Sequence, residues 1–337
     1  MRLYRLPKTE GVDSLTLVEE PTPKPGRGQI LIRMRAASLN YRDLMVATGR
    51  FSQGSTPSNL IPMSDGAGEV AEVGADVDRV QVGDRVAPIF MQAWLGGELQ
   101  ASYNMTALGG NIDGVLTEYR VLDQTGVVKI PDHLSFEEAA TLPCAALTAW
   151  NALFGERQLK AGETALALGT GGVSIFAVQL ARMAGANVIV TSSSDAKLER
   201  AKALGATHGV NYKTHPEWQK EVLRLTGGEG VDFVVEVGGA GTLQRAAEAC
   251  RFGGVISMIG SSFAQGSVDP APIMRKALRL RGIRIGSREM FEAMNRAIAV
   301  HGLKPVIDEV FPFEEAKAAY RRLESQRHLG KVAISIG

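Results

Sequence analysis

The apolar run Thr164 to Leu168 passes directly into Gly169-Thr170-Gly171-Gly172-Val173-Ser174, and from there into a second apolar stretch that continues to Ala184. A strand, a glycine turn and a helix in that order permit few architectures. The first glycine allows the tight turn, and the second lets the backbone approach a pyrophosphate at the helix N-terminus, where unpaired N–H groups and the helix dipole favour anions. Ser174 takes the third position, where only a small side chain is needed for the helix to pack on the strand. Gly169, Gly171, Gly172 and Val173 are therefore expected to hold the phosphates of a dinucleotide.

The surroundings of the turn fit that expectation. After Pro131, Ser135-Phe136-Glu137-Glu138 has the pattern of a capping box, in which serine and glutamate satisfy each other's backbone donors. Strands and helices then alternate: Asn187–Thr191, Asp195–Leu204, Gly209–Tyr212, Glu217–Thr226, Phe233–Val237, Thr242–Cys250 and Val255–Ile259. Several of the strands are continuous apolar runs bounded by glycine, as in a parallel sheet buried on both faces. The implied class is α/β, with a doubly wound parallel sheet.

Residues 1–122 have a different texture. Short alternating runs broken by turn residues, such as Leu15–Val18, Ile30–Ala37, Val70–Val73 and Arg85–Ile89, read as antiparallel β structure. Phe90 to Gly114 shows no periodicity, and a stretch of that length inside a compact domain is usually functional. Arg281–Ile285, helical stretches at Phe291–His301 and Glu314–Leu323, and the alternating Lys331–Ile336 follow the α/β region, and the last of these resembles the first region again. The expectation is a discontinuous first domain, 1–122 with 286–337, enclosing a nucleotide-binding domain at 123–285.

Composition narrows the function classes. A net charge of +1 gives no bulk electrostatic reason to bind nucleic acid or an anionic membrane. Two cysteines, Cys144 and Cys250, exclude a disulfide scaffold. The first residues alternate apolar with Arg2, Arg5 and Lys8, unlike a secretory signal, and no window approaches the ~18 apolar residues of a membrane span. A cytoplasmic protein is expected. Glycine is in excess, at about 11% against the usual ~7%.

About twenty residues past the glycine turn, a cofactor with a free ribose 2′-hydroxyl usually meets Asp or Glu. Here the second strand ends in Thr191-Ser192-Ser193-Ser194, with Lys197 one turn further on. The hydroxyls of Ser192, Ser193 and Ser194, the helix start and Lys197 suit a 2′-phosphate, and Tyr212 can close over it, so NADPH is expected over NADH. Asp195 is the alternative, as a ribose ligand in a shifted register. Gly238 and Ile259, at the ends of later strands, complete this set of expected cofactor contacts.

The segments Ser38-Leu39-Asn40-Tyr41-Arg42-Asp43-Leu44, Ser64-Asp65-Gly66-Ala67-Gly68-Glu69-Val70, Gly83-Asp84-Arg85-Val86, Ala139 to Cys144 and Thr148-Ala149-Trp150, together with the glycine turn, run nearly end to end. In order and spacing the chain resembles the medium-chain dehydrogenase/reductase superfamily, most of all its quinone oxidoreductase and enoyl reductase-like branch. The resemblance implies a mainly β GroES-like catalytic domain, a Rossmann domain inserted before its last strands, a cleft between the two, and hydride transfer to or from NAD(P). Zinc-dependent members hold a catalytic metal through Cys, His and Cys; the matching positions here are Asn40, Ser64 and Cys144. A zinc site needs three protein ligands with N or S donors. Residues 90–114 contain no cysteine for a structural zinc, and the five histidines do not fall at metal-ligand spacing. No metal is expected.

Without a Lewis acid, reducing a quinone or an α,β-unsaturated carbonyl compound asks less of a protein than oxidising an alcohol. The resemblance places Asn40, Tyr41 and Asp43 beside the nicotinamide: Asn40 as an amide donor or acceptor, Tyr41 as a proton source, and Asp43 in the same turn or in an ion pair with Arg42. It also places Thr148, and backbone groups of Ile283 and Ile285, at the nicotinamide, with Trp94 and Tyr103 lining the acceptor site. Two proton-donor positions of relatives are changed, to Phe51 and Ser261. The alternation in Leu278–Ile285 suits an edge strand pairing across a two-fold axis, hence a homodimer. An alcohol or aldehyde dehydrogenase and a non-catalytic NADPH-binding protein remain open alternatives.

Overall fold

The computed structural model describes residues 1–51, 56–260 and 267–337. Ser261 lies outside the described residues. The chain forms two compact units, one of Met1–Leu147 with Gly286–Gly337 and the other of Thr148–Ile285.

The first unit opens with β1 (Arg2–Arg5) and β2 (Thr16–Glu19), an antiparallel pair. β3 (Gln29–Ser38), helix α1 (Tyr41–Ala47), β4 (Asp65–Val73), β5 (Arg85–Pro88), β6 (Tyr119–Asp123) and β7 (Val127–Lys129) follow. Two short helices come next, α2 (Phe136–Ala140) and, after a π-turn over Leu142–Ala146, α3 (Leu147–Phe154), which leads into the second unit. The predicted capping box starts α2: Ser135 Oγ accepts from Glu138 N at 3.2 Å, and Glu138 Oε2 accepts from Ser135 N at 2.8 Å.

The second unit alternates as its apolar runs predict: β8 (Thr164–Ala167), α4 (Gly172–Met183), β9 (Asn187–Ser192), α5 (Asp195–Ala203), β10 (His208–Asn211), α6 (Trp218–Leu225), β11 (Val231–Glu236), α7 (Ala240–Ala249), β12 (Cys250–Met258), α8 (Ala271–Arg275) and β13 (Arg279–Gly282). All the pairings are parallel, in the order β10-β9-β8-β11-β12-β13. The strand order reverses beside β8, the kind of position where doubly wound sheets hold ligands at their carboxyl ends. Val188, Val190, Val234, Val235 and Ile256 are essentially fully buried, each contributing roughly 1.5–3 kcal/mol.

The chain then returns to the first unit with α9 (Arg288–His301), β14 (Ile307–Pro312), α10 (Ala316–Glu324) and β15 (Lys331–Ser335). The main sheet there runs β14-β15-β3-β4-β5-β7, with β6 also pairing with β3. Its core gathers Ile30, Ile32 and Met34 from β3, Val70 and Val86 from its neighbours, and Tyr320 and Ile334 from the returning segment.

Three differences from the sequence expectations have physical causes. On sequence alone the first boundary falls after Leu122, but residues 123–147 lie with the first unit because β7 pairs with β5 and α2 packs on β3 and β4. The first-unit sheet is not wholly antiparallel: β14, whose alternation is too weak to single out, pairs parallel with β15. The edge strand spans Arg279–Gly282, and Ile285, with φ 46°, is not in an extended conformation.

Candidate functional site

Two sets of residues carry chemistry, one in each unit. In the second, β8 ends in the glycine turn. Gly169 has φ 77°, a conformation that favours glycine, and its N–H donates to Thr191 Oγ1 on the neighbouring strand at 3.1 Å. Gly171, the N-cap of α4, has φ −76° and ψ −176°, which any residue can adopt, and a Cβ built there meets nothing within 4 Å. The backbone therefore does not demand glycine at 171; open space above a helix N-terminus does, if a ligand fills it. Ser174 Oγ donates to Leu168 O at 2.6 Å, tying the helix start to the strand end, which explains serine at this position. Gly172 and Val173 form the first turn of α4. These residues fit a bound pyrophosphate.

Ser192 closes β9 and is 4% exposed. Its Oγ accepts from Ser194 N at 3.3 Å, and Ser194 caps α5 by accepting from Lys197 N at 3.4 Å. Ser193 lies between them, half-buried. Tyr212 N donates to Ser192 O at 3.0 Å, which brings the exposed Tyr212 to the same strand end. Asp195 is displaced from this position: it is the first residue of α5, and its Oδ1 accepts from Asn211 Nδ2 at 2.7 Å. The strand end thus presents hydroxyls and helix N–H groups without a carboxylate.

Elsewhere in this unit, Gly238 N donates to Glu236 Oε1 at 2.7 Å and Ile259 N to Glu236 O at 2.8 Å. Glu236 is fully buried, and burial pushes its pKa up. Thr148 lies in α3, 3% exposed. Ile283 N donates to Met258 O at 2.8 Å, so that N–H is not open to a carboxamide, while Ile285 O accepts from Asn151 Nδ2 at 2.9 Å and keeps a second lone pair.

In the first unit, sheet register assembles a buried polar cluster. β3 pairs with β4, setting Ser38 opposite Asp65, and with β15, setting Ser38 opposite Ala333. Lys331, at the head of β15, therefore reaches the residues that follow β3. Its Nζ donates to Leu39 O at 2.5 Å and to Asn40 Oδ1 at 2.6 Å. Asp65 Oδ1 accepts from Ser64 Oγ at 2.7 Å, and its Oδ2 from Cys144 N at 3.0 Å. Burial raises the Asp65 pKa, opposed by Lys331, Asn40 and Ser64, while burial lowers that of Lys331, opposed by Asp65, Cys144 and Asp43. Cys144 stays a thiol, its pKa raised first by burial and then by Asp65.

Asp43 works within the turn itself. Its Oδ2 accepts from Asn40 N at 2.8 Å, closing the start of α1, and Oδ1 lies 3.4 Å from Arg42 Nη1. Asp43 is 1% exposed, and burial pushes its pKa up to about 6 against the pull of Arg42. Arg42 is held between Phe90 and Phe51, 4.6 and 5.0 Å from their ring centroids, and donates to Leu108 O at 2.9 Å. Tyr41, the first residue of α1, is half-buried against the same core. Trp94 is 4% exposed, donates through Nε1 to Gly97 O at 3.0 Å and stacks on Tyr103 at 6.5 Å, so its ring is committed to packing and Tyr103 is the more accessible of the two.

A zinc ion does not fit this donor set. Asn40 Oδ1 is held by an amine and Ser64 Oγ donates to Asp65, which leaves the Cys144 sulfur as the one N or S side-chain donor at the three matching positions. Among the described residues, no group of three or more His, Cys, Asp or Glu side chains is placed to hold a metal. Lys331 and Asp65 complete a cluster that the sequence only half discloses. A lysine opening an alternating strand looks like a surface residue, and only the β3–β15 register turns it inward.

Comparison with known proteins gives one picture. Residues 26–132 match the alcohol dehydrogenase GroES-like domain, and residues 172–299 match the zinc-binding dehydrogenase family. The chain is 46% identical to a zinc-type alcohol dehydrogenase-like protein of Schizosaccharomyces pombe, over 97% of this chain and 96% of that one. Among solved structures, an NAD-dependent alcohol dehydrogenase superposes with a TM-score of 0.92 at 35% identity, covering 100% of both chains. The quinone oxidoreductase of Pseudomonas syringae pv. Tomato DC3000 superposes with a TM-score of 0.83 at 27% identity, covering 99% of each.

Proposed function

The chain belongs to the medium-chain dehydrogenase/reductase superfamily, and from that premise we propose that it is a zinc-independent, NADPH-dependent reductase of quinones or α,β-unsaturated carbonyl compounds. The observation that carries the proposal is the Lys331 amine bonded to Asn40 Oδ1, where a zinc-dependent relative would need a metal ligand.

NADPH, when bound, would supply the hydride for the β-carbon of an enone, so that negative charge collects on the substrate's carbonyl oxygen. The chain's own residues do the rest. Gly169, Gly171, Gly172 and Val173 would hold the pyrophosphate; Ser192, Ser193, Ser194 and Lys197, with Tyr212, would hold the 2′-phosphate. Asn40 offers a fixed amide to the acceptor oxygen, and Tyr41 a phenolic proton for the α-carbon. A second copy would pair along β13, the exposed edge of the parallel sheet, giving a homodimer; a monomer in light scattering would remove that partner. Among the described residues no helix is long and apolar enough to cross a membrane. We place the enzyme in the cytoplasm, with a small carbonyl substrate and neither nucleic acid nor membrane as partner.

The cofactor assignment has its own test. Ser192→Asp puts a carboxylate against the 2′-phosphate and should shift the NADPH-to-NADH ratio of kcat/KM toward NADH by about 100-fold, equivalent to roughly 2.7 kcal/mol. An unchanged ratio would refute the role given to the end of β9. The second reading, an alcohol dehydrogenase, is favoured by the names of the relatives. It predicts alcohol oxidation with NAD⁺ that depends on bound zinc, whereas the reductase reduces enone or quinone acceptors with NADPH.

A further inference from the structure

We propose that Lys331 is a positioning residue that fixes the Asn40 carboxamide with its N–H donors available to the carbonyl oxygen of the acceptor. The assignment rests on the reductase reading above and adds to it which atom meets the substrate and which substrate oxygen it selects.

An amide side chain presents an acceptor at one end and donors at the other, and the two ends are nearly identical in shape, so their orientation follows from their partners. A protonated lysine offers only donors. With Nζ 2.6 Å from the amide and also bonded to Leu39 O, the Asn40 end facing Lys331 must be Oδ1. Nδ2 therefore points away from the amine. It is buried and makes no hydrogen bond among the described residues, although the amide is close enough to Asp65 to favour that carboxylate. The backbone end is equally fixed, since Asn40 N donates to Asp43 Oδ2. A rigid, dry donor held only loosely, by the Asp65 carboxylate, lowers the energy of a state in which an oxygen gains negative charge. The carbonyl oxygen of an enone or quinone does so as hydride arrives at carbon. A substrate that offers only an N–H donor at this point gains nothing from Asn40.

The test uses 2-cyclohexen-1-one labelled with ¹³C at the carbonyl, bound to the NADP⁺ complex of the full chain, with its C=O stretch read by difference infrared spectroscopy. The wild type should shift the stretch to lower wavenumber. Asn40→Asp keeps a partner for Lys331 but presents only acceptors; it should abolish the shift and lower kcat about 100-fold with KM within a few-fold. Lys331→Arg, which also offers only donors, should keep most of the shift, whereas Lys331→Met frees the amide to turn and should lose most of it. A wild-type complex that turns over enone with an unshifted carbonyl overturns this assignment and leaves the reductase reading standing. A folded Asn40→Asp with wild-type kcat and shift overturns it likewise. If the wild type reduces neither enone nor quinone, the reductase reading falls and this assignment with it.

Discussion

Gly171→Val should raise the Kd for NADPH by at least about 100-fold while leaving the melting temperature within a few degrees of wild type. The two halves of that result come from one observation. The backbone at 171 is extended and a Cβ there touches nothing, so the folded chain tolerates a side chain. The same space lies at the N-terminus of α4, where a phosphate needs backbone N–H groups within bonding distance. A branched side chain holds it off, and losing one or two charge-assisted hydrogen bonds at ~1.5–3 kcal/mol each gives the stated change. Gly169→Val is the control. With φ at 77°, that glycine is needed by the turn itself, so stability should fall together with binding. Titration calorimetry with NADPH and thermal melts of both variants check the pair. Equal NADPH affinity for Gly171→Val and wild type would mean that the phosphates lie elsewhere.

Lys331→Met should destabilise the first unit by about 3–5 kcal/mol, because it removes the cation that acts most strongly on the buried Asp65 and a donor to the Leu39 carbonyl. Adding Asp65→Asn removes the stranded charge and keeps one acceptor, for Cys144 N, while its amide nitrogen can donate to the Ser64 hydroxyl. The double variant should recover more than half of the loss, a positive coupling in the double-mutant cycle. Denaturant unfolding measures all four proteins. Simple additivity would mean that Lys331 and Asp65 do not act on each other, and that the ammonium is not the cation around which this cluster is built.

Much of the fold is legible in the sequence because it is written in local terms. Apolar runs bounded by glycine give the parallel strands, the glycine turn gives the β8–α4 junction, and Ser135 with Glu138 gives the start of α2. The glycine turn and the serine-rich end of β9 are legible for the same reason, since Gly169 to Val173 are contiguous and Ser192 to Lys197 lie on the next strand and helix. The polar cluster in the first unit is not local. Lys331 meets Asn40 across nearly the whole length of the chain, through a β3–β15 pairing that no short motif announces. Asp43, by contrast, is local: a carboxylate three residues after Asn40 is the spacing that closes a helix start. β14 is missed because its half-exposed residues give no clear alternation, and residues 123–147 are misassigned because the start of helical texture is not the start of a new domain.

The claim that matters most is reduction of a carbonyl-type acceptor by NADPH without zinc. It is tested by following NADPH absorbance with 2-cyclohexen-1-one and 9,10-phenanthrenequinone, using protein dialysed against a chelator and measuring its metal content alongside. Turnover of at least one acceptor, unchanged by chelation and with zinc far below one per chain, is the predicted result. Stoichiometric zinc, with activity lost on chelation and restored by zinc, would contradict it.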